Sequence, residues 1–444
     1  MVIVARVLHS NSCDSGMDPP MLFDRTYSAI AMNAGRLSRM KKSIVVTLIA
    51  AAVLSVGGCA SPNDAASPPA ADPVPMAPPT SARPTAPATP PSSSQTPTNT
   101  PIQWHKPKSL GPILPAIVAV PASMSEPTIR VKISAEQSYP PTVRKAYHGR
   151  VDVVRLADGK YVAINTLGME AYLMGVLSRE MYGSWGIEAY KAQAIAARTY
   201  ALYQLRVGTG AAAWDVNSDE SSQMYGGVGG ETRKSRAAVE ATRGQVLETS
   251  VRGGTGIFCA FYSACSGGAT QDPYEAWGDA PVGPLAGRRV GTIEMGCPKF
   301  YWPALTVGKD DIWRCLRAWG VKNQEPYLAR IGPIASVAIS KRNVTTGRPV
   351  EVLVTDNRGT HVPMRAEEFR IALLNDPAGT APKPPSSFCD FVDDGDAITL
   401  TNGRGYGHGI GMSQWGAEAL AARGDESGQI LSFYYPGSAV RQIW

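Results

Sequence analysis

Apolar and polar positions divide the chain into three stretches of different character. Ser43 to Val56 is an uninterrupted run of apolar and small residues. From Ala60 to about Pro127 Pro, Ala, Ser and Thr dominate, and almost no large apolar residue occurs before Ile102. Beyond about Thr128 apolar residues return with the periods of regular structure, which sets the expected folded part at 128–444. The segments Val151–Leu156 and Tyr161–Ile164 flank Asp158-Gly159, a pattern that predicts a hairpin. Leu173, Val176 and Leu177 stand at helical spacing and predict a helix over Glu170–Met181. An Ala-rich helix is expected over Gly186–Leu205, capped by Ser184, and a late one over Met412–Arg423. Short strands are expected at Gly244–Leu247, Ile257–Tyr262, Ala335–Ile339 and Val350–Val354. Helices and strands mix without strict βαβ alternation, so the fold class is α+β with short, mainly antiparallel sheets.

The first apolar run has the length of a secretory leader's core and is too short to span a bilayer. Lys41 and Lys42 precede it, and Leu54-Ser55-Val56-Gly57-Gly58-Cys59 closes it with small residues before a cysteine. That arrangement resembles the lipobox of bacterial lipoproteins. Residues 1–39 then read as an upstream start-site extension and 40–58 as a lipoprotein signal peptide, with Cys59 the lipidated residue. A diacylglycerol thioether supplies two buried chains, enough for stable anchoring to a membrane. Residues 59–127 cannot bury a core and are expected to form a disordered stalk, reaching roughly 200 Å as polyproline II or about 45 Å as a coil. Within it Ile113 to Val120 is apolar enough to be an early strand of the domain.

Composition changes this picture little. The formal charge is +6, a mild basic balance without the dense Lys/Arg stripes of a nucleic-acid binder, so no nucleic-acid partner is expected. With Cys13 in the extension and Cys59 lipidated, Cys259, Cys265, Cys297, Cys315 and Cys389 remain. An odd number outside the cytoplasm suggests two disulfides and one free thiol, with the pairing open. Cys259 and Cys265 bracket Phe261-Tyr262-Ser263; a disulfide is favoured there over zinc, and no cofactor is expected.

Three features could carry chemistry. Glu180 continues the apolar stripe of its helix, four residues after Val176, and a carboxyl set against apolar packing is pushed toward its protonated form, as a general acid requires. The other reading pairs it with Arg179 or a neighbouring segment. Lys191 and Arg198 stand seven apart on the second helix, either to grip an anionic ligand or as a solvated face. Finally, glycine falls at every second position from Gly403 to Gly411. In an extended chain one face is then bare backbone, open to another backbone or a flat sugar ring, and the other presents Arg404, Tyr406, His408, Ile410 and Met412.

Taken in order, several segments resemble the SpoIID/LytB family, named for stage II sporulation protein D and an amidase enhancer. They are Asn165–Val176, Glu180-Met181, Ala189–Tyr200, Gln223–Gly227, Tyr262–Gly268, Gly347-Arg348, the glycine ladder with Ser413-Gln414, and Tyr434–Gly437. The family's sporulation members are lytic transglycosylases that cut peptidoglycan glycan strands already stripped of stem peptides. The resemblance implies Glu180 as catalytic acid and Lys191, Arg198 and Tyr262 as substrate-handling residues; Ser263, Arg404, Tyr406, His408, Ser413 and Gln414 are further candidates for substrate binding. It further implies peptidoglycan as partner, a wall-facing location in the periplasm or on the outer face of the cytoplasmic membrane, and a cell-wall amidase as a second partner. Ala264 and Cys265 depart from the small hydroxyl residues usual at their positions. The alternative is a non-catalytic wall-binding amidase enhancer.

Overall fold

Met169–Glu180 (α1) and Ile187–Val207 (α2) form the centre of the fold. Leu173, Val176 and Leu177 of α1 are fully buried, as their spacing predicts. Along α2, Ala189, Ala192, Ala194, Ala196, Ala197 and Ala201 are all without solvent exposure, so the helix is packed on nearly every side. The computed structural model describes residues 116–208, 212–251 and 254–444, with a two-residue strand at Ala5–Arg6. The rest of the start-site extension, the signal peptide, Cys59 and most of the stalk lie outside the described residues.

Two sheets enclose these helices. In the first, Arg150–Arg155 pairs antiparallel with Tyr161–Gly168 in the predicted hairpin, Thr128–Lys132 adds antiparallel, and Val216–Asn217 adds parallel. In the second, the order is Ser438–Gln442, Gln245–Val251, Gly254–Phe258 and Ile117–Val118, all antiparallel. Ile117 and Val118 pair with Phe258 and Ile257, so the folded domain includes chain that precedes Thr128. A separate core lies under the strands Ile334–Arg342, Pro349–Asp356 and His361–Arg365, with the helices Lys309–Lys322 and Ala366–Leu374 against it. The α+β class and the mainly antiparallel pairing hold throughout.

Three local expectations are corrected. Ser184 does not cap α2; Gly186 stands at that position, and its N–H donates to Glu418 Oε2 at 2.7 Å. A distant carboxylate thus fills the electropositive helix start. The five described cysteines are all free and buried. Cys259 meets Gln204 Nε2 at 3.5 Å whereas the Cys265 thiol donates to Glu294 Oε2 at 3.2 Å, and the two are not joined by a disulfide. Arg198, expected to handle substrate, is wholly buried. Its Nε and Nη2 donate to the two oxygens of Glu170 at 3.1 and 2.6 Å, and Nη1 donates to the Gln245 carbonyl at 3.1 Å.

Glu170 Oε1 also accepts from Gly244 N–H at 3.0 Å and from Trp444 Nε1 at 2.8 Å. One buried ion pair therefore ties α1, α2, the turn before the second sheet and the C-terminal residue together. Removing one partner of such a pair leaves an unpaired buried charge, at a cost of about 3–5 kcal/mol. Arg198→Met should lower the unfolding free energy by about that amount in urea denaturation. Arg198→Met with Glu170→Leu should recover only part of the loss, since Gly244 N–H and Trp444 Nε1 then lack their acceptor.

Candidate functional site

Glu180 is the last residue of α1, and its carboxyl meets the loop after Val216–Asn217 on one side and the start of Gln414–Ala422 on the other. Met224 N–H donates to Oε1 at 2.7 Å and Gln414 Nε2 to Oε2 at 3.3 Å. Both bonds favour the charged form, yet burial outweighs them and raises the pKa above the ordinary carboxylate value. The negative end of the helix dipole also disfavours a carboxylate at this position. Neither Arg179 nor any other charged group is among those acting on Glu180, which removes the reading as a salt bridge.

Three aromatic and amide side chains back the carboxyl. Tyr172 of α1 donates its hydroxyl to Gln223 Oε1 at 3.0 Å, and Gln223 Nε2 donates to the Tyr262 hydroxyl at 2.9 Å. Burial, together with the nearby Glu180 and Tyr172, holds the Tyr262 phenol well above its usual pKa, so it stays neutral. Tyr262-Ser263 forms a short parallel pair with Met412-Ser413. Ser413 is buried; its hydroxyl donates to the Ala264 carbonyl at 3.3 Å and accepts from Gly416 N–H at 3.2 Å, capping the helix that Gln414 begins. That pair is what carries Gln414 to Glu180. Ser263 Oγ is buried and has no hydrogen-bond partner among the described residues.

The exposed side chains beside Glu180 are aromatic. Tyr182, 46% exposed, packs on Trp185 and Trp415 with ring centroids 4.9 and 5.6 Å away. Tyr406 is also exposed, and Tyr182 and Glu220 are close enough to help raise its pKa, after burial as the first cause. Tyr182, Trp415, Gln223 and Met224 carry no role in the sequence reading. Gln223 and Met224 belong to a segment of the resemblance, and Tyr182 stands two residues from Glu180, which is the only positional signal for it.

The glycine ladder is not the flat extended strand that alternation predicts. Gly405, Gly407, Gly409 and Gly411 all have positive φ, between 70° and 93°, a region where L-residues are strained. The bare positions are occupied by the protein itself. A Cβ at Gly411 would lie 1.9 Å from the Phe261 carbonyl oxygen, and one at Gly403 would lie 2.1 Å from the Trp302 ring. His408 turns inward rather than toward a substrate. Its Nδ1 accepts from Ile410 N–H at 3.0 Å, its ring bonds the Tyr262 backbone, and Trp277 stacks 5.2 Å away. Lys191 is likewise drawn aside, paired with Glu188 at 2.7 Å. Of the predicted residues, Glu180, Tyr262 and Gln414 are brought together directly; Ser263, Ser413 and His408 support them, Tyr406 and Arg404 are exposed beyond, and Lys191 and Arg198 serve other bonds.

His408 supplies a pH test. Its pKa falls from 6.5 to about 4, chiefly through burial. The unfolded chain therefore takes up the proton first as pH falls, and the contribution to stability, at most about 3 kcal/mol, is complete above about pH 6.5 and lost toward pH 4. Thermal unfolding should show Tm falling across that window, and His408→Gln should flatten that dependence.

A family model described as stage II sporulation protein matches residues 157–248. An amidase enhancer of Bacillus subtilis (strain 168) is 30% identical over 300 residues, which span 60% of this chain and 40% of that protein. An uncharacterized protein of Brachyspira hyodysenteriae is 30% identical over 66% of this chain and 71% of its own length. Stage II sporulation protein D of Bacillus subtilis is 28% identical over 63% of this chain and 76% of its own. The chain thus covers under half of the amidase enhancer and about three quarters of the sporulation protein.

Proposed function

The chain belongs to the SpoIID/LytB family, and from that premise we propose that it is a peptidoglycan lytic transglycosylase acting on glycan strands free of stem peptides. One observation carries the reading: a single half-buried carboxyl, Glu180, with a raised pKa, two N–H donors and no acidic neighbour acting on it. Hydrolytic glycosidases work with two carboxylates. Cleavage without water needs one. Oε1 is fixed by Met224 N–H, and Oε2, with the longer contact, is the oxygen to carry the proton. Glu180 gives that proton to the glycosidic oxygen as the bond to the anomeric carbon breaks. The resulting carboxylate takes the proton of the muramyl 6-hydroxyl as that oxygen closes on the anomeric carbon. A 1,6-anhydro sugar forms and Glu180 ends protonated, as it began.

Glu180→Gln should reduce release of anhydro-muramyl products at least about 100-fold, scored by mass on peptide-free sacculi, with an unchanged melting curve. Because the pKa of Glu180 is raised, wild-type activity should be retained above the ordinary carboxylate range and fall as pH rises through the raised value, where the acid form is lost. Undiminished release by Glu180→Gln would remove the role.

A second reading is favoured by the relative named amidase enhancer. In it the same cleft binds glycan, stimulates a cell-wall amidase and yields no anhydro product. Both readings place the domain outside the cytoplasm, tethered by a lipid on Cys59 at the end of the Pro-rich segment. Mass analysis of the mature N-terminus should find a lipid-modified Cys59; an unmodified Cys59, or a start upstream of it, would remove the tether.

A further inference from the structure

Arg404 differs from its arginine neighbours Arg348 and Arg370. Arg348 is fully buried and donates to the Ser266 and Ala269 carbonyls, and Arg370 is paired with Glu367. Arg404 is exposed, and no ion pair or side-chain hydrogen bond engages its guanidinium among the described residues. Its position is nevertheless fixed. The guanidinium carbon lies 5.3 Å from the Phe388 ring centroid and 5.8 Å from that of Tyr301. The backbone is held from three sides: Arg404 N–H donates to the Phe388 carbonyl at 2.9 Å, the Ser386 hydroxyl bonds the Arg404 carbonyl, and Tyr301 is its cross-strand partner. Stacking on aromatic rings leaves the N–H donors around the guanidinium edge available.

Directly opposite in the antiparallel pair, Tyr301 shares a face with Arg404 and is 58% exposed. Two residues on, Tyr406 is locked by backbone bonds of 3.1 and 2.9 Å to Cys265, three residues after Tyr262, and lies near enough to Tyr182 for that phenol to act on it. Backbone bonds therefore link the strand of Tyr262, beside Glu180, through Cys265 and Tyr406 to Arg404 and the exposed Tyr301, an aromatic surface bearing one unneutralised guanidinium.

We infer that Arg404 and Tyr301 form a carboxylate-reading subsite for a muramyl sugar neighbouring the one that is cut. Tyr301 offers a flat face to the pyranose, and the planar guanidinium matches a carboxylate with two parallel N–H donors. The lactyl group of a muramyl sugar ends in a free carboxylate only when no stem peptide is attached; with a peptide it is a neutral amide. Arg404 thereby selects peptide-free strands. This inference rests on the reading of the cleft as a glycan site.

Binding in the Glu180→Gln background tests it without cleavage. Calorimetry would compare three ligands: peptide-free muramyl glycan, the same glycan with its lactyl carboxyls converted to methylamides, and a chitin oligosaccharide. The free-acid glycan should bind about tenfold or more tighter than the methylamide, as expected of one charge-assisted bidentate pair. Arg404→Gln should abolish that difference while leaving methylamide and chitin binding within about twofold. Arg404→Lys should restore part of the preference, as a point charge without the planar fork. Equal weakening of all three ligands by Arg404→Gln, or a preference that survives it, would overturn the subsite. Discrimination that depends on Arg404 in a wild-type protein releasing no anhydro product would remove the cleavage reading and leave this one standing.

Discussion

The buried ion pair between Glu170 and Arg198 is the constraint on which the site depends. Two buried charges are stable only when every donor and acceptor is met, and here five N–H groups from three separate parts of the chain converge on two carboxylate oxygens and one carbonyl. Burial lowers the Arg198 pKa and Glu170 opposes that effect, so the guanidinium is held charged by its partner. Glu170 opens the helix that Glu180 closes. Fixing the start of α1 against α2 and Trp444 therefore fixes where the Glu180 carboxyl ends up. The buried pair and that carboxyl sit on one rigid helix, less than three turns apart.

At the far end of α1 the electrostatic balance is reversed. Glu170 is surrounded by donors and a cation; Glu180 receives two hydrogen bonds and no cation. Burial wins there and the proton is favoured. Tyr172, Tyr200 and Tyr262 contribute to that environment as neutral phenols, each kept from ionising by its own burial. The same residue type in the same helix thus meets opposite surroundings, a cation and N–H donors at one end and desolvation that raises the pKa at the other.

How far the sequence discloses this differs from residue to residue. Glu180 is legible because it extends a stripe whose other members, Leu173, Val176 and Leu177, are plainly core. Arg198 is misread because a lone cation on a helix normally snorkels to solvent; the contrary signal is the alanine on every side of α2, which marks a helix packed all round. The helix Lys309–Lys322 is written in the spacing of Ile312, Cys315, Leu316 and Trp319, but no periodicity says that these residues build a second core. Alternating glycine carries two meanings, a bare strand or a chain repeatedly in the left-handed region, and only the approach of Phe261, Cys265 and Arg348 decides between them.

That second meaning changes what the glycine segment does. A flat strand would lay its bare face under a sugar. A segment that turns at Gly405, Gly407, Gly409 and Gly411 instead buries its backbone against the protein, and so determines separately where each intervening side chain points. His408 goes inward to bond the strand that carries Tyr262, Tyr406 goes to the surface, and Arg404 goes to the surface beside Tyr301. Trp302, which pins Gly403, belongs to the second core, and Phe388 lies against the guanidinium of Arg404. The second core therefore fixes Gly403, one residue before the arginine, through Trp302, while Phe388 and Tyr301 give the guanidinium of Arg404 a surface to stack on.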